Sequence, residues 1–114
     1  MPPKKPLVEA YFAAWNAHDK EGVQALHAAQ STLVDWDASH GPTNADVATG
    51  IAGIWAAVPA IKIEIIDVFE CADRPECVAQ IKVIVDDSTT LKVCDYFTFD
   101  GDGKVVSLYA YKAD

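Results

Sequence analysis

No apolar run in this sequence approaches the roughly 20 residues that a bilayer-spanning helix needs, although 51% of its residues are hydrophobic. Basic residues are scarce: 9 Lys and Arg stand against 17 Asp and Glu, for a net charge of −8. Nucleic acid and anionic membrane surfaces would both repel such a chain, so neither is expected as a partner. The N-terminal Met-Pro-Pro-Lys-Lys-Pro is basic, but no apolar segment follows that could serve as a signal peptide. Residues 1–6 therefore read as a disordered lead-in. Cys71, Cys77 and Cys94 are an odd number without metal-site spacing. Cys71 and Cys77 flank a hairpin loop, which leaves a cross-strand disulfide open, but reduced cysteines in a cytoplasmic protein are the expectation. At 114 residues there is no room for linkers or internal repeats. Residues 7–114 are expected to form one domain, burying roughly 60–70% of its unfolded surface.

What is present divides into helices first and strands afterward. Leu7, Val8, Tyr11, Phe12 and Trp15 recur at the spacing of an amphipathic helix, with alanines between them. Asp19 reads as the N-cap of a second helix, whose inner face holds Val23, Leu26 and Ala28 or Ala29. Residues 31–36 form a short β-prone stretch. Gly41-Pro42-Thr43-Asn44 is loop chemistry, and a third helix is expected over roughly residues 50–58. Asn44 could instead cap a longer helix beginning at Ala45. Strands then follow at residues 61–71, with a slip of alternation at Ile65-Ile66 that predicts a bulge, and at residues 77–86. Helices followed by hairpin-linked strands mean an α+β fold: a curved antiparallel sheet wrapped around three N-terminal helices.

The last two strands carry the anomaly. Residues 91–99 and 104–111 are two β-prone arms joined by Asp100-Gly101-Asp102-Gly103, whose glycines suit a tight turn needing positive φ. Leu91, Val93, Asp95, Phe97 and Phe99 share one face because strand side chains alternate. Four of the five are apolar. Asp95 therefore points a carboxyl at a hydrophobic interior, where it must raise its pKa or find a partner.

Two further polar residues sit where apolar ones are expected. Tyr11 lies on the buried stripe of the first helix, and Asp35 shares a face with Leu33 on the short strand. Each has a plain structural explanation: a core tyrosine whose hydroxyl finds one acceptor, or a strand-end carboxylate in solvent. A core-facing aspartate in mid-strand is harder to explain that way.

With those residues in view, the stretch Val8 to Asp19 resembles the first-helix signature of the NTF2-like (SnoaL-like) superfamily. Asp95 to Ser107 resembles its closing hairpin. Within the superfamily the chain is most similar to the Δ5-3-ketosteroid isomerases. That resemblance implies a cone-shaped, partly open barrel with a hydrophobic pocket, a homodimer and no metal or organic cofactor. It also implies roles residue by residue. Tyr11 would fall on the oxyanion-hole tyrosine, Asp35 on the proton-shuttling aspartate, and Asp95 on the aspartic acid that donates the second oxyanion hydrogen bond. Asp37, one pleat further along, is a rival base. Trp36 stands where the isomerases usually have proline, while Ala57 replaces a bulky aromatic and Trp55 appears two residues earlier. Trp15, Trp36, Trp55 and Phe97 are the expected walls of the ligand pocket.

The implied chemistry makes physical demands. A neutral Asp95 at pH 7 requires a pKa about 3 units above the usual carboxyl value, roughly 4 kcal/mol of differential environment. Asp35 must stay ionised, so it should lie nearer the cavity mouth. Fold does not fix function. A cyclase or dehydratase using Asp35 or Asp37 with His18, His27 or His40 is a second expectation. A small-ligand-binding or dimerisation module without turnover is a third. In every case the expected partner is a small hydrophobic molecule.

Overall fold

The computed structural model describes residues 2–113. Three helices, α1 (Lys4–Asn16), α2 (Lys20–Leu26) and α3 (Asn44–Ala57), pack on a curled sheet of six strands. The strands are β1 (His27–Val34), β2 (Ser39–His40), β3 (Lys62–Glu70), β4 (Glu76–Asp86), β5 (Thr89–Phe99) and β6 (Val105–Lys112), in the spatial order β2-β1-β6-β5-β4-β3. The α+β architecture is the expected one, with one correction. β1 runs parallel to β6, so the sheet is mixed. β1 and β6 come from opposite ends of the chain, and the helices and hairpins between them allow the parallel return.

Local chemistry explains most boundaries. Val8, Tyr11, Phe12 and Trp15 bury one stripe of α1. The helix begins at Lys4 rather than after a six-residue lead-in, because Lys4 is tied down at both ends. Its backbone N–H donates to Glu70 Oε1 at 2.6 Å, and its Nζ donates to the Cys71 carbonyl at 2.8 Å. Only Met1 of the supposed lead-in lies outside the described residues. Asp19 caps α2 by accepting from Gly22 N–H at 2.9 Å. Thr43, not Asn44, caps α3, in a reciprocal capping box with Asp46. That box starts the helix well before residue 50. The slip near Ile65 is a register shift between Ile65 and Asp67, as the broken alternation implies. In the β5–β6 turn Gly103 alone takes positive φ, at 80°.

The helices are anchored near opposite ends of the sheet. Asn16, at the end of α1, bonds both to the N–H and to the carbonyl of Ile63 on β3, each at 2.8 Å. It thereby supplies the edge strand with the partner a further strand would have given. α3 packs instead against β1. Between the two helices the central strands β4, β5 and β6 are left partly uncovered on their concave face, and a cavity opens there. Among the described residues no helix is long and apolar enough to cross a membrane. Cys71, Cys77 and Cys94 are free thiols.

Candidate functional site

The cavity has a volume of about 520 Å³, within the roughly 300–1,000 Å³ typical of small-molecule sites. Ile81 and Val83 of β4, Val93 of β5 and Leu108 of β6 form its floor. Ile51, Ile54 and Ala57 of α3 form one wall, and Phe12 and Trp15 of α1 another. The polar side chains lining this apolar container include Tyr11, Asp35 and Asp95.

Asp95 faces inward on β5 with Val93, Phe97 and Phe99, as strand alternation requires. Its cross-strand neighbours are Ala79 on β4 and Ala110 on β6. Two methyl-sized side chains therefore flank the carboxyl and leave room above it. The group is 5% exposed, and Oδ1 is buried without a hydrogen-bond partner. Burial first, and then the nearby charge of Asp35, push its pKa up to about 7. A carboxyl that is half protonated at neutral pH and aimed into an apolar cavity can donate a hydrogen bond to a ligand oxygen.

Tyr11 is 2% exposed in the middle of α1. Its Oη lies 2.9 Å from His27 Nε2, and its ring meets Phe12, Phe97 and His27 edge-on at 5.3–5.6 Å. Burial and the neighbouring Asp95 raise its pKa, so the phenol keeps its proton.

Asp35 is not on a strand. β1 starts four residues earlier than expected and ends at Val34, which leaves residues 35–38 as a loop at the cavity mouth. There Asp35 Oδ1 accepts from the N–H of Asp37 at 2.8 Å and of Ala38 at 2.7 Å. The turn fixes one carboxylate oxygen and leaves Oδ2 free of those bonds. Asp37, the rival base, and Trp36 also line this rim and are exposed. Lys112 Nζ lies 5.6 Å from the centre of the Trp36 ring.

The expected pocket walls divide. Trp15 and Trp36 line the cavity, while Trp55 and Phe97 are not among its lining residues. Trp55 turns away to meet Trp15 edge-on at 5.8 Å and to stack on His18 at 4.9 Å. Phe97 is fully buried beneath the cavity, stacked on Phe99 at 5.6 Å and touching Phe12. Both are core.

The histidines divide as well. His18 is held at the Trp55 stack, and His40 lines the cavity at the rim. His27 is 3% exposed, is not among the cavity-lining residues and touches Tyr11. Burial lowers its pKa to about 4, so its imidazole is neutral near pH 7. Among the described residues no group of three His, Cys, Asp or Glu side chains is arranged to hold a metal ion.

Residues 8–108 match the model of the SnoaL-like domain. No curated protein matches the sequence. Solved structures with the same fold include an NTF2-like protein of unknown function from Cytophaga hutchinsonii. It has 12% identity and a TM-score of 0.80, with 99% of this chain and 92% of that one covered. A protein with ketosteroid isomerase-like fold from Catenulispora acidiphila, in complex with trimethylamine, has 17% identity and a TM-score of 0.81, with 96% and 86% covered. A proposed isomerase of the SnoaL-like family from Agrobacterium tumefaciens has 15% identity and a TM-score of 0.83, with 97% of each chain covered. At these identities the likeness is one of fold.

Proposed function

The chain belongs to the SnoaL-like family, and on that premise we propose that its cavity isomerises a hydrophobic cyclic ketone, shifting a double bond through a dienolate. The substrate carbonyl oxygen sits between Tyr11 and protonated Asp95. Asp35 Oδ2 removes a proton from the carbon next to the carbonyl. The electron pair moves onto the carbonyl oxygen, where the two donors stabilise the developing charge. Asp35 then returns the proton further along the skeleton, and the carbonyl re-forms with its double bond conjugated. The reaction as proposed is redox-neutral and needs no cofactor.

One observation carries this reading: an unpartnered carboxyl that is half protonated at neutral pH and a phenol face a single apolar cavity whose mouth holds Asp35. The two oxygen donors need a low-dielectric setting to be effective, and the floor of the cavity supplies one. The base needs access to the substrate and a fixed direction, and the loop turn supplies both.

The test is incubation with 5-androstene-3,17-dione, followed by conjugated-enone absorbance. A rate above buffer is expected. No such rate, at a protein concentration where a phenolate still binds, would leave a ligand-binding module. His40 on the rim favours one second reading, a cyclase or dehydratase that pairs it with Asp37. Activity retained in Asp35→Asn and lost in His40→Ala would select it.

The proposal includes a homodimer formed through the convex sheet face. Phe69, Val78, Tyr96 and Tyr109 are cross-strand neighbours in one row over four strands. Phe69, Tyr96 and Tyr109 are each more than a third exposed, and Lys92, Cys94 and Thr98 complete a mixed surface around them. The free cysteines fit a reducing cytoplasmic location, which is part of the same proposal.

A further inference from the structure

We infer that His27 is a positioning residue for this site: it carries its single proton on Nε2 and donates it to Tyr11 Oη, so that the phenol proton stays free for a ligand oxygen in the cavity. The inference rests on the reading of the cavity as an oxyanion-binding site and goes one step behind it.

The distance alone permits two arrangements. At 2.9 Å either the phenol donates to a bare Nε2, or Nε2–H donates to the phenol oxygen. The first arrangement consumes the only hydrogen Tyr11 has and leaves it unable to donate into the cavity. The second leaves that hydrogen available. The other end of the imidazole decides between them, because Nδ1 is buried and has no hydrogen-bond partner.

If the phenol donated to Nε2, the proton of the neutral ring would stand on Nδ1 as an orphaned buried N–H. Such donors are rare, because a buried N–H without an acceptor loses its hydration and gains nothing in return. With the proton on Nε2, Nδ1 is only an unused lone pair, which is the less costly of the two. Neutrality of the ring is a separate matter, and its burial against Tyr11 favours it. The backbone keeps the ring in place: His27 is both the C-cap of α2 and the first residue of β1, with extended φ and ψ of −92° and 144°. It pairs with Val105 of β6 in the sheet.

The Nε2–H bond does two things for Tyr11. It fixes the rotation of the hydroxyl by occupying one oxygen lone pair, which leaves the O–H pointing away from His27. It also polarises the phenol, since an oxygen that accepts a hydrogen bond becomes a better donor through its own hydrogen. A hydrogen bond that strengthens as charge builds on the ligand oxygen is the kind that accelerates a reaction.

The test combines a spectroscopic signature with a pair of variants. In protein labelled with ¹⁵N at histidine, the His27 resonances at pH 7 should show a protonated Nε2 and a bare Nδ1. Binding of 4-nitrophenolate should weaken at least about tenfold in His27→Phe, which has no donor. It should stay within about threefold of wild type in His27→Gln, whose amide N–H can replace Nε2–H. A protonated Nδ1 overturns the inference by itself, whether or not the phenolate binds. Equal affinities in His27→Phe and wild type also overturn it. Protonated Nε2 in a protein that binds no phenolate overturns the reading of the cavity and takes the positioning role with it. The wild-type spectrum decides even where His27→Phe does not fold.

Discussion

Burial, and then the charge of Asp35, hold the proton on Asp95, so the two carboxyls of one cavity are unequal. Asp35 stands in a loop with two backbone N–H groups on one oxygen. Asp95 stands on a central strand between two alanines with Oδ1 unpartnered. Pairs of titratable groups whose surroundings differ in this way divide acid and base roles between them.

Replacing the base should separate chemistry from binding. Asp35→Asn keeps the turn, because the amide oxygen can still accept from Asp37 and Ala38, but it removes the proton acceptor. Turnover should fall by about 10²–10⁴-fold, while 4-nitrophenolate affinity stays near wild type. Steady-state kinetics and a binding titration on one preparation check this. Full turnover would move the base to Asp37.

Removing either oxygen donor should do the reverse. Tyr11→Phe and Asp95→Ala should each lower turnover by about 10²-fold or more and weaken phenolate binding together with it. Isothermal titration of both variants reads this directly. Unchanged affinity in either would remove that residue from the oxyanion site.

Stability against pH should expose the raised carboxyl. Between about pH 4 and 7 the native state holds a proton on Asp95 that the unfolded chain has released, so this group lowers stability as pH rises. His27 acts oppositely. Its pKa falls from 6.5 to about 4 on folding, so the unfolded chain holds the extra proton and stability rises over that window. Tyr11 faces both groups and stays protonated throughout. Wild type should therefore be nearly flat from pH 4 to 6.5. Asp95→Asn should gain about 3 kcal/mol across the same range and exceed wild type by up to about 4 kcal/mol at pH 8. Denaturant melts at several pH values check it, and parallel profiles for the two proteins would contradict it.

The convex face gives a further outcome. Sedimentation at micromolar concentration should show a dimer, and Tyr96→Lys with Tyr109→Lys should make it monomeric without unfolding it. A monomeric wild type would end that part of the proposal.

Part of this arrangement is legible in the sequence alone. Period-two alternation alone aims Asp95 inward, and the apolar stripe of α1 places Tyr11. The same patterns cannot separate a cavity wall from the core behind it. Trp55 shares its helical stripe with Val47 and Ile51, the buried side of α3, and of that stripe Ile51 alone reaches the cavity. The cavity side, one step around the helix, carries Gly50, Ile54 and Ala57. Phe97 alternates correctly but lies beneath Tyr11 and Phe12.

His27 was hidden by the junction it occupies. α2 passes into β1 at that residue with no glycine or proline to mark the change. The helical pattern of Val23 and Leu26 therefore runs on in the sequence, and the first β-prone stretch starts at Ser31. The parallel β1–β6 pair was invisible for a similar reason. It joins the two ends of the chain, and no local pattern records a contact at that distance.

Asp95 carries the account, and its titration tests it most directly. In protein with ¹³C-labelled aspartate, the Asp95 carboxyl carbon should titrate with a midpoint near pH 7, and Asp35→Asn should lower that midpoint by removing the neighbouring charge. A midpoint near the ordinary carboxyl value of about 4 would mean an ionised Asp95 at neutral pH. The fold would stand, and the proposed oxyanion site would have lost its second donor.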